Sequence, residues 1–508
     1  MSNVTQKTLV RWLSLFAVLV LCIAGFAGCG GTTDPVSEAS SDAASETEAT
    51  DPGTDTTEPN GSTDPGTDTT DPSGSGGDIL RPTESGGKTT NTTLPQPTVP
   101  PTPAYDFLAS FPKELSGTTI KFLTWFAPDA VLQKQIADFT EKTGVKVNVV
   151  QTTWGAYPTK LASMVGSNSS PDVASIQPDW WPSLIVKNYF QEISVGNFDL
   201  ANDPAYDLDS MNLCSWGGKY YGVSIKNSTW CNAMHVILYN KTLFRRENLE
   251  TPTELWIKNE WNWDTYLKAA KALTKTKDGV KHYGTAVAPV SYMLSAGTDF
   301  VKFQTTGNTT KIVNNLSDPK LEMAWKFYIQ TRNRDYVEPL SSSWDDFLKG
   351  TIAMVDQEDY YLLNGSDLSK MTDEWGAVPF PSPKGQEMTL ASSVKIWGIP
   401  TGSKKGPAAS YFIRYFLDPN TEPPDDPAHP EKNKFINSEA KDVFERLCAI
   451  KKNALLSLGV LSYNTDSDFW SLFTDVAYGE YDQVGTNLKS YDNKVNSIIK
   501  NIEDAMPK

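Results

Sequence analysis

The stretch that decides the fold opens with Ile120-Lys121-Phe122-Leu123-Thr124-Trp125, continues through Val145-Lys146-Val147-Asn148-Val149 and closes with Asp172-Val173-Ala174-Ser175-Ile176. The first segment reads as a strand. Pro128-Asp129 then supplies a helix start, and Leu132, Ile136 and Phe139 recur at the spacing that puts them on one helical face. Gly144 ends that helix, and the Val/polar alternation of 145–149 has the period of a half-buried strand. After a further helical stretch, 172–176 reads as a third strand. The order β-α-β-α-β implies parallel strands with helices packed on the sheet, so the expected class is α/β.

N-terminal to this unit the composition changes completely. Lys7 and Arg11 precede an apolar run from Trp12 to Ala27 that stops at Gly28-Cys29, the pattern of a secretory leader rather than of a membrane span of about 20 residues. Phe26-Ala27-Gly28-Cys29 resembles a bacterial lipobox, with Phe26 where leucine is usual. The resemblance implies cleavage after residue 28 and a lipid on Cys29. From Gly30 to about Pro103 the chain is Thr, Asp, Ser, Gly and Pro, and it carries an internal duplication, Thr50-Asp51-Pro52-Gly53-Thr54-Asp55-Thr56-Thr57 recurring as Thr63-Asp64-Pro65-Gly66-Thr67-Asp68-Thr69-Thr70. So few apolar residues cannot offset the entropy of ordering, which makes 29–104 a lipidated cysteine plus disordered tether. Gly86-Gly87-Lys88-Thr89 lacks the earlier glycine of a phosphate loop. About 400 residues, 105–508, remain for folding. Beyond roughly 250 to 300 residues chains divide instead of growing one core, so two lobes are expected.

Net charge and cysteines narrow the partners. With 45 Lys+Arg against 61 Asp+Glu, the net charge of −16 repels polyanions and excludes nucleic acid as the expected partner. Cys214, Cys231 and Cys448 show no C-x-x-C spacing; Cys214 and Cys231 bracket a hairpin and are readable either as a bridge or as buried thiols.

Across the body, a series of landmarks resembles one family, the carbohydrate class of extracellular solute-binding proteins of ATP-driven (ABC) importers, which includes maltose-binding protein. They are Pro171-Asp172-Val173, Gly218-Lys219-Tyr220-Tyr221-Gly222-Val223, Leu238-Tyr239-Asn240-Lys241-Thr242-Leu243-Phe244, Pro252 with Trp261-Asn262-Trp263-Asp264, Gly350-Thr351-Ile352-Ala353-Met354, Trp375-Gly376, Pro379-Phe380-Pro381 and Trp397-Gly398-Ile399-Pro400. Each is weak alone, and their order makes the resemblance. It implies a two-lobed, periplasmic-binding-protein-like fold of type II whose lobes are discontinuous in sequence, about 118–232 with 396–447 and about 236–392 with 460–508. Crossing segments are expected near 230–238, 392–398 and 448–461. It also implies a monomer that captures a carbohydrate outside the cytoplasm for the membrane permease of an ABC importer. With the leader and tether, this gives a lipoprotein on the outer face of the cell membrane, of Gram-positive type.

A sugar offers apolar C–H faces and a rim of hydroxyls, so its site needs flat rings beside Asp, Glu, Asn or Gln. Trp125 follows the first strand, Trp154 the second, and Asp179-Trp180-Trp181 the third, where ligands bind in open α/β sheets. The resemblance adds Asp356, Glu358, Asp359, Tyr360 and Tyr361 from the other lobe. Trp230 and Trp397 on crossing segments, and Tyr292, complete the candidates, while Trp263 belongs to the core face of a helix. Core packing is the alternative for any single ring. Asp356, Glu358 and Asp359 invite comparison with the carboxylate pair of a glycoside hydrolase, but such pairs flank the scissile bond from separate elements. The body has no G-x-S-x-G elbow, and His235, His282 and His429 lie too far apart to show a metal motif. No catalytic residue, cofactor or metal is expected; a glycan-acting enzyme and a cell-surface adhesion module are the alternatives.

The leader generates a first test. Cells expressing Cys29→Ser should lose the protein from the detergent phase on partitioning, and unchanged retention would refute lipidation at that residue.

Overall fold

A computed structural model describes residues 105–506 apart from residue 308. The leader, Cys22, Cys29 and the tether lie outside the described residues. Along the chain, the elements that position the site are β1 (Thr119–Thr124), α1 (Ala130–Thr143), β2 (Lys146–Gln151), α2 (Tyr157–Gly166), β3 (Ala174–Ile176), β4 (Asn232–Asn240), α3 (Trp263–Leu273), α4 (Pro289–Ser295), β5 (Val301–Thr306), β6 (Thr309–Asn314), α5 (Pro319–Ile329), β7 (Met354–Glu358), β8 (Trp375–Pro379), β9 (Leu390–Val394), β10 (Ile396–Gly398), α6 (Gly406–Leu417), α7 (Ser438–Cys448), β11 (Lys452–Ala454), α8 (Ser457–Leu461), α9 (Asp466–Ala477) and α10 (Asp492–Ala505).

The caps form where the sequence places them. Asp129 accepts from the Leu132 amide at the start of α1, and Gly144 ends that helix with φ of 72°, a left-handed conformation that glycine adopts without steric cost. Asn262 and Thr265 form a capping box on α3, and Asp318 caps α5 with Pro319 in its first turn.

Lobe 1 is built on two bridged strand pairs and lobe 2 on a five-stranded sheet. In lobe 1, β1 pairs with β2 in parallel, Phe122 bridges to Val173 in parallel, and β3 pairs with β10 antiparallel. The core of this lobe is aromatic: the Phe122 ring lies 5.6 Å from Trp397, 5.3 Å from Phe412 and 5.1 Å from Phe416. In lobe 2, β4 is buried along its whole length and pairs antiparallel with β7, β8 and β9, while β9 pairs in parallel with β11. A strand with no wet face must carry a continuous apolar run, and Ala233-Met234-His235-Val236-Ile237-Leu238-Tyr239 supplies one interrupted only by His235.

The crossings are short at two points and displaced at the third. The chain enters lobe 2 at Asn232 and returns through the single residue Lys395 between β9 and β10. The third passage is 418–437, because α7 already packs on lobe 2: Ala440, Val443, Phe444 and Leu447 share a cluster with Met234, Val236 and Leu238. This corrects the expectation of a third crossing at 448–461 and of lobe 1 reaching 447. Its physical reason is the apolar stripe of α7, which is buried against the lobe 2 sheet. Cys214 and Cys231 are free, and they sit in different clusters, so the bridge reading falls. Burial pushes their thiols up, to about 12 and about 11 respectively. Among the described residues, no helix is long and apolar enough to cross a membrane.

One buried ion cluster ties α6 to the rest of lobe 1. Arg414 donates from Nε to Asp203 Oδ2 (2.5 Å), from Nη2 to Asp203 Oδ1 (3.2 Å) and from Nη1 to Asp418 Oδ2 (2.6 Å). Arg414→Leu would leave both carboxylates buried without their cation, and it should destabilise the protein by about 3 to 5 kcal/mol in urea unfolding. A loss below about 1 kcal/mol would show that the cluster is solvated.

Candidate functional site

Three successive strand-to-helix connections of lobe 1 bring tryptophans together. Trp125 after β1, Trp154 after β2 and Trp180 after β3 are all half-buried. The Trp125 ring meets Trp154 edge-on at 5.1 Å, Trp154 lies 4.7 Å from Trp180, and Trp180 stacks on Tyr157 at 4.8 Å and 12°. Tyr157, absent from the sequence-level candidates, fixes this wall: its hydroxyl accepts from the Ser175 amide at 2.8 Å, tying α2 to β3. Its signal was its position three residues after Trp154, at the first turn of a helix. Asp179 is half-buried in the same segment. The wall presents ring edges and faces at a half-wet surface, the geometry that stacks flat apolar groups while leaving their polar rim solvated.

The crossing segments stand beside it. Trp230 is half-buried and stacks on Phe126 at 4.9 Å and 22°, the Trp397 indole donates to the Trp230 carbonyl at 2.9 Å, and the Lys434 ammonium lies 5.8 Å from the Trp230 ring centre. Trp230 Nε1, Asn232 Oδ1, Ser392 Oγ and Ser393 Oγ are buried without a hydrogen-bond partner. Buried polar atoms are normally paired, so the hydrogen bonding of this group on the crossing strands is left incomplete by the protein's own groups.

Lobe 2 contributes a cluster of ionisable groups at the end of β7. Asp356 contacts His235 Nδ1 at 3.0 Å through Oδ1, and Ser291 donates to its other oxygen at 2.5 Å. Burial alone would lower the pKa of His235, but the charge and hydrogen bond of Asp356, with Glu358 and Asp359 nearby, raise it. Burial raises the pKa of Glu358 in spite of Lys395 and His235. Asp359 is 4% exposed; one oxygen accepts from the Met234 amide at 3.2 Å and the other has no partner. Burial pushes its carboxyl up to about 7, against the lowering influence of Lys395, and the Glu358 charge adds to the rise. Lys395, on the crossing, is a second residue that the sequence-level reading missed. Tyr360 and Tyr361 are half-buried, with their rings 5.6 Å apart, and Tyr361 lies 4.3 Å from Trp344.

Three candidates are placed elsewhere. Tyr292 is 0% exposed inside lobe 2, where its hydroxyl meets Tyr266 at 2.9 Å and donates to Glu338 at 3.0 Å, so it is core. Trp397 is 0% exposed and packs in lobe 1 between Phe122 and Phe416. Trp181 is 1% exposed with its ring 4.7 Å from Phe303 of β5, which makes it a contact between lobes and no part of the open wall. Trp263 is buried and donates to the Pro381 carbonyl at 2.8 Å. Two cavities lie apart from the tryptophan wall, one of about 260 Å³ lined by Tyr105, Asp199, Tyr206 and Tyr411 and one of about 420 Å³ lined by Trp263, Met323, Phe327 and Tyr481. Among the described residues, no group of three His, Cys, Asp or Glu side chains is placed to hold a metal ion.

The family model of the bacterial extracellular solute-binding proteins matches residues 125–422. The chain belongs to that family. Solved structures share the fold of this solute-binding protein. An ABC substrate-binding protein of Listeria monocytogenes in complex with cycloalternan is 20% identical, with a TM-score of 0.55 over 76% of this chain and 99% of that one. The sugar-binding protein MalE of Xanthomonas citri is 16% identical, with a TM-score of 0.56 over 76% and 98%. A cyclo/maltodextrin-binding protein complexed with maltotetraose is 19% identical, with a TM-score of 0.54 over 76% and 98%. At these identities the likeness is one of fold, the two-lobed architecture. A comparison with curated protein sequences returns no significant match.

The position of Asp359 in this solute-binding protein sets a pH dependence. Burial pushes its carboxyl up to about 7 in the folded protein, against the 3.8 of an ordinary aspartate in the unfolded chain. The native state therefore keeps a proton that the unfolded chain releases, and this contribution to stability falls as pH rises from about 4 to about 7. Urea unfolding of wild type and Asp359→Asn at pH 4 and pH 8 should show the wild type losing up to about 4 kcal/mol more than the variant. Parallel pH profiles would place the Asp359 carboxyl in water.

Proposed function

We propose that this protein captures a neutral oligosaccharide between its lobes and delivers it to the membrane permease of an ABC importer, without chemical change to the sugar. The observation that carries the reading is the wall of three half-buried tryptophans, Trp125, Trp154 and Trp180, on three successive connections of one sheet. Trp230, Asp179, Glu358, Asp359, Tyr360 and Tyr361 are the remaining proposed contacts, with rings for stacking and carboxyls for the hydroxyl rim. Membership of the family and the sugars held by proteins of the same fold, cycloalternan and maltotetraose among them, support it. The sequence features of the leader add the rest: residues 1–28 as signal peptide, a lipid on Cys29, and 29–104 as the tether that carries a monomeric binding body, 105–508, away from the outer face of the membrane.

The serine and histidine of the lobe 2 cluster are not arranged as an activated nucleophile. Ser291 and Asp356 both meet the same nitrogen of His235, at 3.1 and 3.0 Å, whereas an activated serine needs the imidazole between itself and the carboxylate. Binding works by differential affinity: the ligand must prefer the closed arrangement of the lobes, or no shift in population follows.

Calorimetric titration with maltotetraose, cycloalternan and a panel of other neutral oligosaccharides tests the reading. One of them should bind with little dependence on salt and be recovered intact, and Trp154→Ala should weaken it by about 1 to 3 kcal/mol, the value of base stacking on aromatic side chains. Shortened product would establish a hydrolase, and steep salt dependence a charged ligand. Full affinity in alanine variants of all three wall tryptophans would move the site elsewhere.

A further inference from the structure

The cavity of about 260 Å³ in lobe 1 differs in chemistry from the tryptophan wall. It opens between the segment 105–110, the connection at 196–206 and helix α6. Side chains hold that segment in place: the Tyr105 hydroxyl donates to Asp199 Oδ2 at 2.8 Å, the Tyr411 hydroxyl donates to the Ser110 carbonyl at 3.0 Å, and the Arg414 guanidinium lies 4.6 Å from the Phe107 ring centre.

Both charge and hydrogen bonding in this cavity are left incomplete. Arg414 is the only cation among the lining residues, and its charge is already shared between Asp203 and Asp418. Asp199 receives only neutral donors, Tyr105 and Asn202, and no cation pairs with it among the described residues. Hydrogen bonds from Tyr105 and Asn202 hold its carboxyl below the usual range, so it is ionised at neutral pH. Three carboxylates thus face one guanidinium. Tyr206 is 3% exposed, lines the cavity, and makes no side-chain hydrogen bond among the described residues. Burial pushes its phenol well up in spite of the Arg414 charge, and Asp203, Tyr105 and Asp199 push it further, so the hydroxyl stays protonated within reach of their charge. Buried hydroxyls are normally paired.

We infer that this cavity binds a small organic ammonium ion, which donates to the unpaired Tyr206 hydroxyl oxygen, balances the Asp199 carboxylate and lays its alkyl part on Phe198. The net negative charge repels an anion, and a neutral guest would leave Asp199 uncompensated. The aromatic lining suits a cation as well: Phe107 and Tyr206 already hold the Arg414 guanidinium at 4.6 and 5.9 Å from their ring centres. The site shares no residue with the proposed oligosaccharide contacts and does not rest on them.

Hydrogen exchange on the full chain tests it, with butylammonium chloride as the probe and n-butanol and sodium chloride as controls. Millimolar butylammonium should slow exchange about threefold or more in peptides covering 105–111 and 196–206, while those from β4, in lobe 2, stay unchanged. n-Butanol, which has the alkyl chain without the charge, and sodium chloride at the same ionic strength should slow none of them. Tyr206→Phe removes only the unpaired hydroxyl, so it should raise the dissociation constant read from the exchange titration about tenfold, the value of one hydrogen bond to a charged group. Asp199→Asn should abolish the slowing. No slowing in either segment, equal slowing by n-butanol or by sodium chloride, or a wild-type dissociation constant in both variants would each overturn the ammonium site.

Discussion

The arrangement depends on a one-residue passage. β9 pairs with β4 through Val394 in the sheet of lobe 2, and β10 pairs with β3 from Ile396 in the sheet of lobe 1, leaving only Lys395 to span them. The Lys395 amide donates to the Cys231 carbonyl at 2.8 Å, which binds this passage to the neighbouring one at Asn232. Two sheets joined so tightly must keep their adjoining ends together. Lys395, Glu358 and Asp359 lie together beside this passage, and the lysine charge opposes the rise that burial imposes on both carboxyls.

Each lobe carries a tension of its own. On the lobe 1 side, aromatic rings are left half-wet, although a fully buried ring of that size contributes roughly 1.5 to 3 kcal/mol. On the lobe 2 side, carboxyls are buried without full compensation, and burial pushes Asp359 up to about 7. Structures tolerate such features where something other than stability is gained. His235, Asp356 and Ser291 satisfy one another and keep the β7 end in register.

Much of this was legible in the sequence, for identifiable reasons. The unit from β1 to β3 was readable because Val/polar alternation, the Asp129 cap and Gly144 all point the same way. The wall tryptophans were readable from their places after consecutive strands. Trp181 was not separable from Trp180, because adjacent residues at a strand end give no clue as to which faces the partner lobe. Tyr292 sits in Pro289-Val290-Ser291-Tyr292-Met293-Leu294-Ser295, where nothing local distinguishes a ring hydrogen-bonded inside a core from one at a surface. The third passage was misplaced because 418–437 is rich in Pro, Asp and Glu and reads as a loop, whereas the apolar Ser457-Leu458-Gly459-Val460-Leu461 reads as a buried link. Amphipathic α7 held the missing information, but the lobe to which its stripe belongs is a tertiary fact.

The pairing of β3 with β10 has a kinetic side. Strand β3 ends at Ile176, and the edge it requires begins at Ile396, with the whole first part of lobe 2 between them. Lobe 1 therefore cannot complete its sheet, nor cover Phe122 with Phe412 and Phe416, until more than two hundred further residues have emerged and folded back. Closing so long a loop is slow compared with forming the local β1 to β2 pair, and an incomplete sheet exposes an unpaired edge meanwhile. A chain built in this way has a prolonged, aggregation-sensitive interval between emergence and the native state, so its yield in the cell is governed as much by chaperoning during that interval as by the stability of the finished lobes.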